Sequence, residues 1–123
     1  MDEPHLEAAL RYVALNPVRA RLAERAIDWP WSSVHALLGR VESDGLTATG
    51  TVLARCPAFA TLIAAGEDEE GSMRLRRAET IGRPVGGEAF LERLEREAGR
   101  TLKPGKRGPG SSREGRLNAL LSN

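Results

Sequence analysis

The chain is poor in aromatic residues: two Trp, two Phe and a single Tyr stand among 123 residues. Its core must therefore be built mainly from Leu, Ala and Val, a composition that favours helices over a sheet. One cysteine, Cys56, excludes an intrachain disulfide and fits a reducing compartment, so a cytoplasmic protein is expected. Its place between two apolar segments reads as an inert buried thiol. No apolar run is long enough to span a membrane, and the acidic, polar beginning is unlike a secretory signal. There are only two histidines, His5 and His35, and neither belongs to a cluster with metal-ligand spacing. The net charge of +1 gives the whole molecule no strong electrostatic footprint, although its charges are segregated along the chain.

Proline and glycine punctuate what is there. The first helix should begin near Asp2–Pro4, with Asp2 as cap, and end at Asn16, because Pro17 disfavours helical geometry in the residue before it. Pro17 opens a second helix from Val18 to about Arg25. After "DWPWSS", Ser32 or Ser33 caps a third helix through Leu38, Trp31 takes the staple position, and Gly39 terminates. Arg40–Gly50 reads as a polar loop with a Ser-Asp-Gly turn. "TVLARCPAFATLIAAG" reads as two short helices split at Pro57.

In "EDEEGSMRLRRAETIG" the acids come first and the arginines follow, which suits the helix dipole and allows a Glu70–Arg74 pair. "GGEAFLERLEREAG" places Phe90, Leu91, Leu94 and Ala98 on one face, with Gly99 as terminator. From Arg100 the chain turns basic and rich in Gly, Pro and Ser, as in a flexible tail, with one possible helical turn at "LNALL". The expected organisation is a mainly α chain in three parts: 1–39 with the tyrosine helix and the WPWSS segment, a helical region 40–99, and a basic tail 100–123.

The lone tyrosine, Tyr12, falls on the first helix. Leu6, Leu10 and Val13 form its apolar stripe at about 100° per residue, and Tyr12 lies roughly 120–130° from the centre of that stripe. Tyr12 instead shares a face with His5, Ala9 and Asn16, at spacings of four and three residues. A phenol beside a carboxamide is a plausible polar site; a half-buried tyrosine with its hydroxyl satisfied is the plainer alternative. His5, near a chain end, reads as a solvated surface residue, and His35 as a half-exposed polar one. Trp29 and Trp31 read as packing across the Pro30 bend, with stacking on unpaired bases as the alternative.

Helix–"GRPVGG"–helix is a weak helix-turn-helix signal, because Glu88, Glu92, Glu95 and Glu97 make its second helix poorly suited to a phosphate-lined groove. Arg74, Arg76, Arg77 and Arg83 are better placed for backbone contacts. So are Arg100, Lys103, Lys106 and Arg107 in the tail, which can follow a phosphate backbone.

"RYVALNPVRARLAERAIDWPWSSVHALLG", followed by "LRRAETIGRPVGGEAFLERLEREAGRTLKPGKRG", resembles the REP-associated tyrosine transposases of the single-tyrosine HUH superfamily; the likeness covers most of residues 5–108. That resemblance implies an enzyme whose tyrosine attacks a DNA phosphodiester, forming a 5′-phosphotyrosine link and freeing a 3′-hydroxyl. Tyr12 matches the nucleophile. Asn16 matches the polar side chain that completes an Mg²⁺ or Mn²⁺ site with a His-hydrophobic-His motif on a ferredoxin-like sheet.

No His-hydrophobic-His occurs here. The expectation is therefore the C-terminal portion of such a transposase without its α/β core, binding no metal and neither nicking nor joining DNA alone. Expected partners are single-stranded or hairpin DNA and a full-length transposase. The alternatives are a non-catalytic DNA-binding module, or a helical partner that offers Tyr12 to another chain's metal site.

Overall fold

A computed structural model describes residues 1–103 and 105 of the chain. Among them are seven α-helices and no strand, the mainly α architecture expected from composition. Helix α1 spans Glu3–Ala14, α2 Asn16–Arg19, α3 Val34–Leu37, α4 Thr49–Arg55, α5 Phe59–Ala64, α6 Glu69–Ile81 and α7 Glu88–Ala98. A 3₁₀ turn at Ala26–Asp28 joins α2 to α3. No described helix is long and apolar enough to cross a membrane. The "LNALL" segment and the basic residues from Lys106 onward lie outside the described residues.

The caps follow the sequence closely in places. Asp2 is the N-cap of α1, accepting from the His5 amide at 3.2 Å, and Pro4 sits in the first turn, where its missing N–H costs nothing. Asp68 caps α6 through the Gly71 amide at 3.1 Å. Gly82 and Gly99 close α6 and α7 with φ of 65° and 62°, a left-handed conformation that glycine adopts without steric cost. Cys56 and Pro57 separate α4 from α5. The Arg40–Gly50 loop turns where expected: Asp44 accepts from the Leu46 and Thr47 amides at 2.9 and 2.7 Å. With the Thr47 hydroxyl as the main cause, these bonds hold the Asp44 carboxyl down at about 2.

Four expectations about this part of the chain change. The second helix stops at Arg19 rather than Arg25, because the chain reverses at Arg21, whose φ is 58°. The α1 apolar stripe is displaced: Val13 is 64% exposed, while Ala14 and Leu15 are buried, since the chain turns into α2 at Leu15 and carries that corner into the core. Trp31 forms no staple; it is 84% exposed, and the Ser32 hydroxyl takes the Val34 amide at 3.2 Å instead. His5 is half-buried rather than solvated, with its Nδ1 on the Asp2 carboxylate.

The core sits where α1, α3, α4 and α5 meet. Ala14, Leu15, Ala26, Val34, Leu37, Cys56 and Phe59 are buried there, with Leu10, Val52 and Leu62 packed around them. Cys56 is buried as expected, and burial pushes its thiol above the usual range. Helix α1 packs most extensively on α6, and next on α5. Arg11 locks that arrangement. Its Nε donates to the Gly66 carbonyl at 2.5 Å and its Nη2 to the Glu67 carbonyl at 3.4 Å, satisfying backbone groups in the turn before α6.

The segment after α7 does not begin as a flexible tail. Glu95 accepts from the Leu102 and Lys103 amides at 2.7 and 2.8 Å, and Arg83 donates to the Leu102 carbonyl at 2.9 Å. The Lys103 ammonium lies 3.3 Å from Glu88 and 3.2 Å from Glu92. Residues 102–103 are thus folded back onto the acidic face of α7, because backbone donors and a lysine meet three glutamates spaced about one turn apart. The Lys103 amide foremost, with that of Leu102, draws the Glu95 carboxyl below its ordinary value.

Candidate functional site

Tyr12 is half-buried on α1, facing away from the Phe59 core. The tight α1–α2 junction decides what lies over it. Leu15 is the C-cap of α1, Asn16 and Pro17 open α2, and the Arg19 amide bonds back to the Leu15 carbonyl at 2.9 Å. That turn folds Arg19 over the tyrosine, with its guanidinium carbon 4.0 Å from the ring centroid, a cation–π contact.

Arg19 also ties the neighbouring groups together. Its Nη2 donates to the Tyr12 carbonyl at 3.0 Å and lies 3.4 Å from the Glu67 carboxylate; its Nη1 donates to the Asn16 side-chain oxygen at 2.5 Å. Its Nε is buried with no acceptor. Arg76 reaches the same ring from α6, with its guanidinium carbon 6.0 Å from the centroid. Hydrogen bonding to the Tyr12 side chain is the main reason that the Arg76 guanidinium is held above its ordinary value.

Tyr12, Asn16 and Arg76, three residues singled out from sequence, are therefore brought together. The other basic candidates are not. Arg74 pairs with Glu70 one turn away, as the sequence predicted. Arg77 is exposed on α6. Arg83 and Lys103 are spent on the fold-back at α7, and Arg100 is exposed beyond Gly99. Lys106 and Arg107 lie outside the described residues.

Arg19 and Glu67 are the residues that sequence reasoning missed. Arg19 lies seven residues after Tyr12, two helical turns on, but Pro17 hides that relation by breaking the periodicity.

Asn16 does not fit as the ligand of a divalent cation. It offers one neutral oxygen, and that oxygen already accepts a guanidinium N–H. Arg19 beside it sets positive charge against a hard cation, and the one carboxylate nearby, Glu67, already faces that guanidinium. The same donors suit an anion: forked guanidinium N–H groups, a phenol and an amide match the oxygens of a phosphate. Compared with family models, curated proteins and solved structures, the chain matches none.

Proposed function

We propose that this chain is a DNA-binding protein of the tyrosine-transposase kind, which takes single-stranded or hairpin DNA at Tyr12 and does not cut it alone. The observation that carries this reading is the convergence of Arg19 and Arg76 on the one tyrosine, beside Asn16. A phenol beside two guanidiniums suits a nucleic-acid backbone, because the cations attract phosphate. Arg77, exposed on the Arg76 helix, extends the positive surface. Tyrosine attack on a phosphodiester also needs the phosphate polarised and its leaving oxygen stabilised, and the donor set at Asn16 supplies no metal for that.

Fluorescence anisotropy with a hairpin oligonucleotide and with a duplex of the same sequence tests the binding. The hairpin should bind more tightly, and affinity should fall as salt rises. A denaturing gel run with Mg²⁺ or Mn²⁺ should show no covalent protein–DNA adduct. Equal affinity for duplex and hairpin, or a Tyr12-dependent adduct, contradicts the reading. Removing residues 104–123 keeps the Glu95 fold-back and is expected to weaken binding and flatten its salt dependence.

An exposed apolar rim favours a second reading. Val13 is 64% exposed at the edge of a crevice lined by Leu10, Ser32, Leu37 and Phe59, and Trp31, which precedes Ser32, is 84% exposed. Such a surface suits a helical partner docking on a complete transposase. Pull-down with a complete transposase, lost on Val13→Asp but kept on Arg76→Gln, separates this reading from the first.

A further inference from the structure

We propose that Arg19 and Arg76 form a guanidinium seat that holds a nucleic-acid phosphate at Tyr12 without a divalent metal. The inference rests on the DNA-binding reading above and names what the site recognises in that ligand: the phosphodiester oxygens.

Three observations converge on it. Both guanidiniums approach one ring, with their carbons 4.0 and 6.0 Å from its centroid, so two positive charges stand beside the same phenol. Arg76 is exposed, and among the described residues no carboxylate lies within ion-pair reach of it. Arg19 has one carboxylate partner, Glu67, at a long 3.4 Å, a loose pair whose N–H can turn to a phosphate oxygen.

Asn16 then acts as a positioning residue. Its side-chain oxygen fixes the Arg19 fork at 2.5 Å instead of binding a cation. The Tyr12 ring, approached by both guanidiniums, lies beside the same anion. Guanidinium recognition supplies positive charge and directed N–H donors to phosphate oxygens in place of a cation.

Two measurements on the full 123-residue chain test the seat. In the first, the arginine side-chain Nε–H resonances are followed by NMR during titration with inorganic pyrophosphate in EDTA. The Arg19 and Arg76 signals should shift together, and Arg76→Gln should abolish the Arg19 shift. In the second, anisotropy with a labelled hairpin oligonucleotide is read in EDTA and in Mg²⁺. The affinities should agree. Arg76→Gln should weaken binding about tenfold, and Arg76→Lys should recover part of the loss.

Circular dichroism checks that the variants, altered at an exposed position, keep their helices. Hairpin binding that collapses on chelation, or that ignores Arg76→Gln, overturns the seat. So does a pyrophosphate titration that moves neither arginine. If pyrophosphate moves both signals and the hairpin does not bind, the guanidiniums take an oxyanion but no nucleic acid, and the seat falls with the DNA reading; hairpin binding that ignores Arg76→Gln removes the seat alone.

Discussion

The Phe59 core and helix α7 are held in place by different physics. Around Phe59, seven residues are buried and the contacts are apolar. In α7 no residue is buried, although the sequence marks it as a clear amphipathic helix with a glycine stop. Its fixings are polar: the Gly87 amide donates to Asp2 at 2.5 Å, Glu95 takes two amides, and Lys103 bridges Glu88 and Glu92. Exposed ion pairs and solvent-facing hydrogen bonds each stabilise little, whereas a buried aromatic ring stabilises a great deal. Helicity and attachment are therefore separate properties. A helix can be plain in the sequence and weakly moored in the fold.

The largest expected effect is on the core. Phe59→Ala should cost about 3–5 kcal/mol, because it removes a ring that is 1% exposed and leaves a cavity. Urea denaturation followed by circular dichroism should show the whole domain losing stability. A loss confined to α5 would break the comparison by showing that the core is not one unit.

Next comes the hinge into α7. A methyl group at Gly86 would run into the Phe90 ring, so Gly86→Ala should cost about 1–3 kcal/mol through forced repacking. Hydrogen exchange should speed up in α7 and stay slow around Phe59. Equal acceleration in both regions would mean that α7 is part of the core's cooperative unit.

A smaller effect should follow pH. The Gly87 amide, first among its partners, holds the Asp2 carboxyl at about 2, below its ordinary 3.8. A depressed carboxyl stabilises the fold only while ionised, so this contribution is complete above about pH 4 and fades as pH falls towards 2. Thermal midpoints of the natural chain and of Asp2→Asn should differ near neutrality and converge across that window. A constant gap between them would detach the Asp2–Gly87 link from the stability of the fold.

The smallest effect belongs to Trp31. At 84% exposure, Trp31→Ala should shift stability by no more than about 0.5 kcal/mol in urea denaturation. A larger loss would show that this large ring has an apolar neighbour in solution.

Much of the helical layout was legible because it is written locally. Asp2 caps α1 through its side-chain oxygen and Gly99 stops α7 through its tolerance of positive φ, each where the sequence implied. Pro57 splits α4 from α5 for the same kind of reason. The errors arose where neighbours decide. Val13 fits the apolar stripe by periodicity, but the α1–α2 corner buries Ala14 and Leu15 instead. Trp31 has the composition of a core residue and no core to enter.

At the candidate site, Tyr12 and Asn16 could be read as one helical face from their spacing alone. The rest of the site could not. Arg19 returns across a proline corner, and Arg76 arrives from a helix 64 positions later in the chain. The sequence by itself determined the mainly α character, the caps and stops, and the shared face of Tyr12 and Asn16. Those depend on interactions within about one turn. Only the tertiary structure decided that the Asn16 oxygen serves an arginine, that Lys103 is spent on α7, and that two guanidiniums meet over one phenol. Those depend on which helices pack, and packing is settled by burial summed over the whole chain.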